Sequence, residues 1–269
     1  MANMQFGFIG TGNMGSALAS AVCKSVNSSN LIFSDKSSAK AQVLAKNLGA
    51  NFGDNFAVAS SAKFIFLGVK PQMMKETLES IGEVLRNRND RFVLVTMAAG
   101  LKISAIESML GASYPIIRIM PNTPVSVEKG VILYTANENV FMDEISEFCD
   151  ALKFAGKIDR IEETLIDAAS AVSGCGPAFV YLFAEALADG AVECGIPRNK
   201  AIEYAAQTLS GAAEMILKSG KHPAQLKDEV CSPAGSTIVG VHALEDSAFR
   251  SAVMDAVVSA FNRTKELGK

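Results

Sequence analysis

Two histidines, His222 and His242, and five cysteines, Cys23, Cys149, Cys175, Cys194 and Cys231, are the imidazole and thiol ligands that this 269-residue chain could offer a metal. No two cysteines are close enough for a metal knuckle, and two histidines are too few for a protein-ligated zinc centre, so no metal is expected. Nor do five scattered cysteines form a disulfide framework; they suit a reduced, cytoplasmic protein with free thiols. The N-terminus lacks the basic-then-apolar texture of a secretory leader. There is no long basic run either. Lys and Arg number 25 against 28 Asp and Glu, a net charge of −3, which makes nucleic acid an unexpected partner. The charge-free stretch 168–184 is interrupted by Ser170, Ser173, Gly174, Gly176 and Pro177, and reads as a buried soluble segment rather than a membrane span. With 49% hydrophobic and 20% charged residues the chain is globular, and its length suits one large domain or two modest ones.

Two textures divide it. In the first half, short apolar runs at 4–9, 30–34, 64–69, 92–96 and 115–120 alternate with segments of helical periodicity at 14–26, 37–48 and 72–86. Strands buried on both faces and separated by helices imply repeated βαβ units and a parallel sheet. A helical turn is expected within 54–59, and the runs 131–134 and 157–161, flanking a helix-like stretch at 143–154, extend the sheet at its edge. Beyond residue 162 strand-like runs stop and alanine becomes dense. Breakers at Gly174 to Pro177, Gly195 to Pro197, Gly220 to Pro223 and Ser232 to Gly235 divide this half into five or six helices. The expected domains are therefore 1–162 and 163–269. So much apolar surface in a small helical module predicts burial against a second copy of the chain.

The run Gly10-Thr11-Gly12-Asn13-Met14-Gly15 follows the first strand and opens the first helix. Glycines there allow a tight turn and close approach of a pyrophosphate, which the helix N-terminus then meets with free N–H groups. The other reading is a tight βα turn without ligand. Asp35, twenty positions past Gly15, suits the ribose hydroxyls of NADH, whereas Lys36 with Ser37 and Ser38 suits the 2′-phosphate of NADPH. Two further loops close predicted strands, where ligands of doubly wound sheets collect. In the first, Gly68-Val69-Lys70-Pro71, Lys70 could face phosphate. In the second, Met97-Ala98-Ala99-Gly100, small residues could let a nicotinamide ring approach the backbone.

These motifs, with Met120-Pro121-Asn122-Thr123-Pro124, Ser173-Gly174-Cys175-Gly176-Pro177-Ala178 and above all the run from Gln225 to Thr237, give the chain a full-length resemblance to the pyrroline-5-carboxylate reductases. The resemblance implies a Rossmann-type doubly wound sheet followed by an all-α dimerisation domain. It implies a homodimer with interlocked helices, in some members built into decamers. The implied activity is hydride transfer from NADPH or NADH to a cyclic imino acid, the last step of proline biosynthesis. By the same resemblance the cofactor contacts fall on Gly10, Thr11, Gly12, Asn13, Met14, Asp35, Lys36, Asn55, Gly68, Val69, Lys70, Met97, Ala98 and Ala99. Substrate contacts fall on Glu163, Ser236 and Thr237, with the supplying subunit of the last two left open.

The residues themselves allow this chemistry. Small residues from Pro233 to Gly235 would leave bare N–H groups at a helix start, an anion site for the imine's carboxylate, and Thr237 could bond the ring nitrogen. Simple N-capping by Ser236 or Thr237 is the competing reading. Glu163 could accept the ring N–H, or serve only as a first-turn acid of its helix. A protonated imine needs little beyond placement against the hydride donor, so His222 and His242 read as structural. The alternatives are a 3-hydroxyacid-type dehydrogenase, for which Lys200 would be the acid–base lysine, and a non-catalytic dinucleotide sensor.

Overall fold

The structure is a computed structural model and describes residues 4–267. Its strands are β1 (Met4–Ile9), β2 (Leu31–Ser34), β3 (Asn51–Phe52), β4 (Ala62–Leu67), β5 (Val93–Thr96), β6 (Ile116–Pro121), β7 (Gly130–Ala136) and β8 (Gly156–Arg160). Between them lie α1 (Asn13–Val22), α2 (Ser38–Leu48), α3 (Asn55–Ser61), α4 (Pro71–Asn87), α5 (Ile103–Leu110) and α6 (Met142–Ala151). One sheet holds all eight strands in the order β3-β2-β1-β4-β5-β6-β7-β8. The first six are parallel in the dinucleotide-binding order, so their C-terminal ends share one edge and the order reverses between β1 and β4.

The strands read as unbroken apolar runs because both faces are covered. Phe6, Phe8, Phe64 and Phe66 point to one side and stack across strands, with ring centroids 5.1 Å apart for Phe6–Phe64 and 4.4 Å for Phe8–Phe66. The alternate residues Ile9, Ile65 and Leu67 are buried on the other side with Met74, Leu78 and Ile81 of α4.

The βαβ strands β1 to β6 are parallel as expected, and at the edge that β7 and β8 extend, β7 runs antiparallel to β6 and β8 then lies parallel to β7. The link over 122–129 is too short for the crossover of about a dozen residues that a parallel pair requires, so the chain turns back.

From Glu163 onward the described residues hold six helices and no strand: α7 (Glu163–Ser173), α8 (Gly176–Glu193), α9 (Arg198–Ser219), α10 (Pro223–Glu229), α11 (Ser236–Asp246) and α12 (Phe249–Leu267). Compact packing divides the chain beyond α7. One unit runs to Gly174 and includes the end of α12 from Ala260; the other is Cys175–Ser259. Helix α7 belongs with the sheet because Ile166 is buried against Met120 and Leu133, and because Asp167 pairs with Arg118 at 2.7 Å.

In the unit Cys175–Ser259, α8 and α9 pack through Ala188, Ala201 and Ala205, and that small cluster is its core. Helices α10 and α11 bury nothing. The charge-free stretch departs from its expected burial. Within one chain Tyr181 is 64% and Leu182 69% exposed, and only 11% of the most apolar window of Glu163–Glu193 is buried. That stretch is long and apolar enough to cross a membrane by length and composition, with a mean hydropathy of 1.4, but it is broken into α7 and α8 at Gly174 and Cys175.

Candidate active site

At the sheet edge where β1, β2 and β4 end, their loops are tied together. Gly10 N–H donates to Ser34 O at 2.8 Å and Gly68 N–H to Ile9 O at 2.7 Å. Gly10 has φ +98°, and a Cβ on it would stand 2.6 Å from Gly68 O. A Cβ on Gly15 would stand 2.2 Å from Gly10 O. These two glycines are dictated by the chain's own packing. Gly12 differs, since a Cβ there would meet nothing within 4 Å. It is the N-cap of α1, it offers no side-chain cap, and the first turn carries no acidic residue. The protein leaves a bare helix N-terminus facing open space, which is what a pyrophosphate requires and an empty turn does not. The residues present fit a dinucleotide.

A cavity of 650 Å³ opens here, lined by Gly10, Gly12, Asp35, Lys36, Asn55, Gly68, Val69 and Lys70 among others. Eight of the fourteen expected cofactor residues therefore share one cleft. Lys36 and Lys70 are exposed and have no ion-pair partner among the described residues, leaving both cations for phosphate. Asn55 accepts the Ser34 hydroxyl at 2.8 Å. Pro71 occupies the first turn of α4, as its sequence position suggested. The other six lie outside the cavity lining. Thr11 turns toward Asp35, Asn13 is exposed, and Met14 packs on the core beneath. Met97, Ala98 and Ala99 insert into three separate apolar clusters, so the 97–99 loop offers backbone rather than side chains.

Asp35 holds the loop. Its Oδ2 accepts Thr11 N–H at 2.7 Å and the Thr11 hydroxyl at 3.0 Å, and its Oδ1 accepts Ser37 N–H at 3.0 Å. Partial burial works against the charge, but these three bonds and Lys40 outweigh it and hold the carboxyl below its ordinary pKa. A lowered folded-state pKa means a stabilising contribution present above the unfolded value of about 3.9 and lost as pH falls through the folded one. Asp35→Asn is therefore expected to lower Tm at neutral pH, with its Tm–pH curve meeting that of the wild type below about pH 3. Thermal melts across pH 2–7 read this directly, and parallel curves would show that the carboxylate is not so held.

In the second unit, α11 starts at Ser236 with Gly235 as N-cap and no side-chain cap. A Cβ on Gly235 would stand 2.3 Å from Ser232 Oγ, and Ala234 has φ +57°, so the turn is tightly made. Ser236 and Thr237 are exposed, and neither hydroxyl has a partner among the described residues. Capping is thus not their task. His222 caps α10, its Nδ1 accepting Ala224 N–H at 3.2 Å, and His242 lies 3.2 Å from Asp246 on an exposed face.

Glu163 is already engaged. Its Oε1 accepts Ile103 N–H at 2.7 Å and stands 3.3 Å from Arg118 Nη1. Arg118, fully buried on β6, escaped the sequence reading; a lone arginine inside the run 115–120 was its only signal.

Residues 163–267 match the pyrroline-5-carboxylate reductase dimerisation family, and residues 5–100 match the coenzyme F420-dependent NADP oxidoreductase family. Pyrroline-5-carboxylate reductase of Corynebacterium melassecola is 37% identical, with 97% of each chain covered. That of Escherichia coli is 36% identical over 98% of each. The chain belongs to the pyrroline-5-carboxylate reductase family. Among solved structures, the Plasmodium falciparum pyrroline carboxylate reductase with NADP bound superimposes over 100% of both chains, with a TM-score of 0.87 and 35% identity. The chain is accordingly an NAD(P)H-dependent reductase with an N-terminal Rossmann domain and a helical dimerisation module, and it forms oligomers. That module accounts for the apolar surface of α8, α9, α11 and α12, which a single chain leaves exposed.

Proposed function

We propose that the chain transfers a hydride from NADPH or NADH to the C=N carbon of 1-pyrroline-5-carboxylate, giving L-proline. The observation that carries the substrate reading is the uncapped start of α11, with two unpartnered hydroxyls behind Pro233-Ala234-Gly235. The α11 N–H groups receive the carboxylate without an arginine, and Thr237 bonds the ring nitrogen. The bound dinucleotide supplies the hydride. Gly10 to Met14 would hold its pyrophosphate at the start of α1, Lys36 and Asn55 the adenosine ribose and Gly68 to Lys70 the phosphates in the cleft they line, and the backbone of Met97 to Ala99 the nicotinamide. The remaining work is placement and exclusion of water, which accords with a chain that has two histidines.

The protein works as a cytoplasmic homodimer whose 163–269 domains interlock, with decamers as a further level of assembly, and it needs neither membrane nor nucleic acid. Five free cysteines support a reducing compartment. Consumption of NADPH and of NADH, followed at the nicotinamide absorbance with pyrroline-5-carboxylate, tests the reaction. Turnover with at least one is expected. Binding of both without turnover would overturn the reading and favour a sensor. Turnover of a 3-hydroxyacid instead would bring back the lysine mechanism, although Lys200 is paired with Glu203 at 2.8 Å on the surface.

A further inference from the structure

We infer that Arg118 is a positioning residue for hydride transfer, acting through Glu163 on the loop after β5. The inference rests on the reading that residues 97–99 hold the nicotinamide. Arg118 lies in mid-sheet, in register beside Thr96, the last residue of β5, and is fully buried. Its Nη2 donates to Asp167 at 2.7 Å and its Nη1 reaches Glu163 at 3.3 Å, while Nε has no hydrogen-bond partner. A guanidinium held this way in apolar surroundings is costly unless its geometry serves something.

What it serves is visible one bond further on. Helix α5 begins at Ile103 behind Lys102, whose side chain does not cap it. The acceptor for Ile103 N–H is Glu163 Oε1, which belongs to the first turn of α7. The segment 97–102 is thereby pinned at both ends, by β5 on one side and by the Glu163–Arg118 pair on the other, with Gly100 at φ +75° between them. Asp167, one turn after Glu163, fixes the same guanidinium from a second direction. Two carboxylates on one helix thus lock a single arginine, and one of them locks the loop. Met97, Ala98 and Ala99 hold this loop by apolar contacts, and the Glu163–Arg118 pair adds the polar anchor at its far end.

Arg118→Met is expected to lower kcat about tenfold or more, per folded enzyme. The primary isotope effect with 4-deuterated cofactor should rise as hydride transfer becomes more fully rate-limiting. Affinity for 2′-phospho-ADP-ribose, which lacks the nicotinamide, should stay within about twofold. Arg118→Lys should recover part of the loss. If Arg118→Met does not fold, Asp167→Asn, which keeps an acceptor oxygen but loosens one anchor, should show a milder fall of about threefold with the same isotope signature. A merely structural role would lower stability and leave kcat per folded enzyme and its isotope effect at wild-type values, and that result overturns the inference. Parallel loss of fragment binding and kcat overturns it too. A wild type unable to reduce the imine overturns the functional reading and this inference together, whereas an active wild type with indistinguishable variants overturns this one alone.

Discussion

Gly12→Val is expected to raise the dissociation constant for NADPH about a hundredfold or more while moving Tm by only a few degrees. Gly15→Ala is expected to damage the fold itself. The two glycines belong to one motif yet answer to different constraints. Nothing of the protein lies within 4 Å of a Cβ on Gly12, and its φ of −66° suits any L-residue, so the only casualty of a larger side chain is the ligand. A methyl on Gly15 drives into a backbone carbonyl at 2.2 Å, which no rotamer can relieve. Overpacking of that kind costs about 1–3 kcal/mol, or about 3–10 °C in a chain of this size. Fluorescence titration beside thermal melts separates the two. NADPH binding to Gly12→Val within a few-fold of wild type would show that the loop does not cradle a pyrophosphate.

Thr237→Ala should lower kcat/KM for the imine by about 10- to 100-fold, the loss of one hydrogen bond to a charged or polar group at about 1.4–2.8 kcal/mol. Because its hydroxyl has no partner among the described residues, Tm and cofactor KM should stay unchanged. A melt that falls with activity would mean that the hydroxyl supports the fold instead.

The readable parts of this molecule were those where burial dictates residue type over a long enough stretch. Strand β1 can be bounded from the sequence because Met4 to Ile9 must be apolar on both faces and the glycine loop ends it. Helix α5 gives no such signal: eight residues with Ile103, Ile106 and Leu110 buried make barely two turns of pattern. Strand β3 is two residues long, with Phe52 49% exposed, so neither alternation nor burial marks it. The direction of β7 is invisible in its own residues and legible only in the shortness of the preceding link.

The candidate site divides the same way. Glycine spacing reveals the dinucleotide cleft because backbone geometry constrains the residue type. Asp35 was legible as a site residue, but its inward grip on Thr11 and Ser37 is a matter of rotamer. Arg118, Glu163 and Asp167 meet across some 45 residues of chain, and no local pattern announces such a pair.

The uneven burial of the two halves also sets an order of events at synthesis. The sheet and α1–α7 enclose their own apolar residues, so most of this part can close once Gly174 has emerged, the end of α12 from Ala260 joining it last. The helices that follow have no interior beyond Ala188, Ala201 and Ala205 with their neighbours, and Tyr181, Leu182, Ile202, Met215 and Val239 stay wet until another chain arrives. Completion is therefore a second-order event, whose rate depends on how many unfinished chains lie within reach. Polysomes, where neighbouring ribosomes carry copies of the same half-made helical segment, supply that proximity at no extra cost in expression.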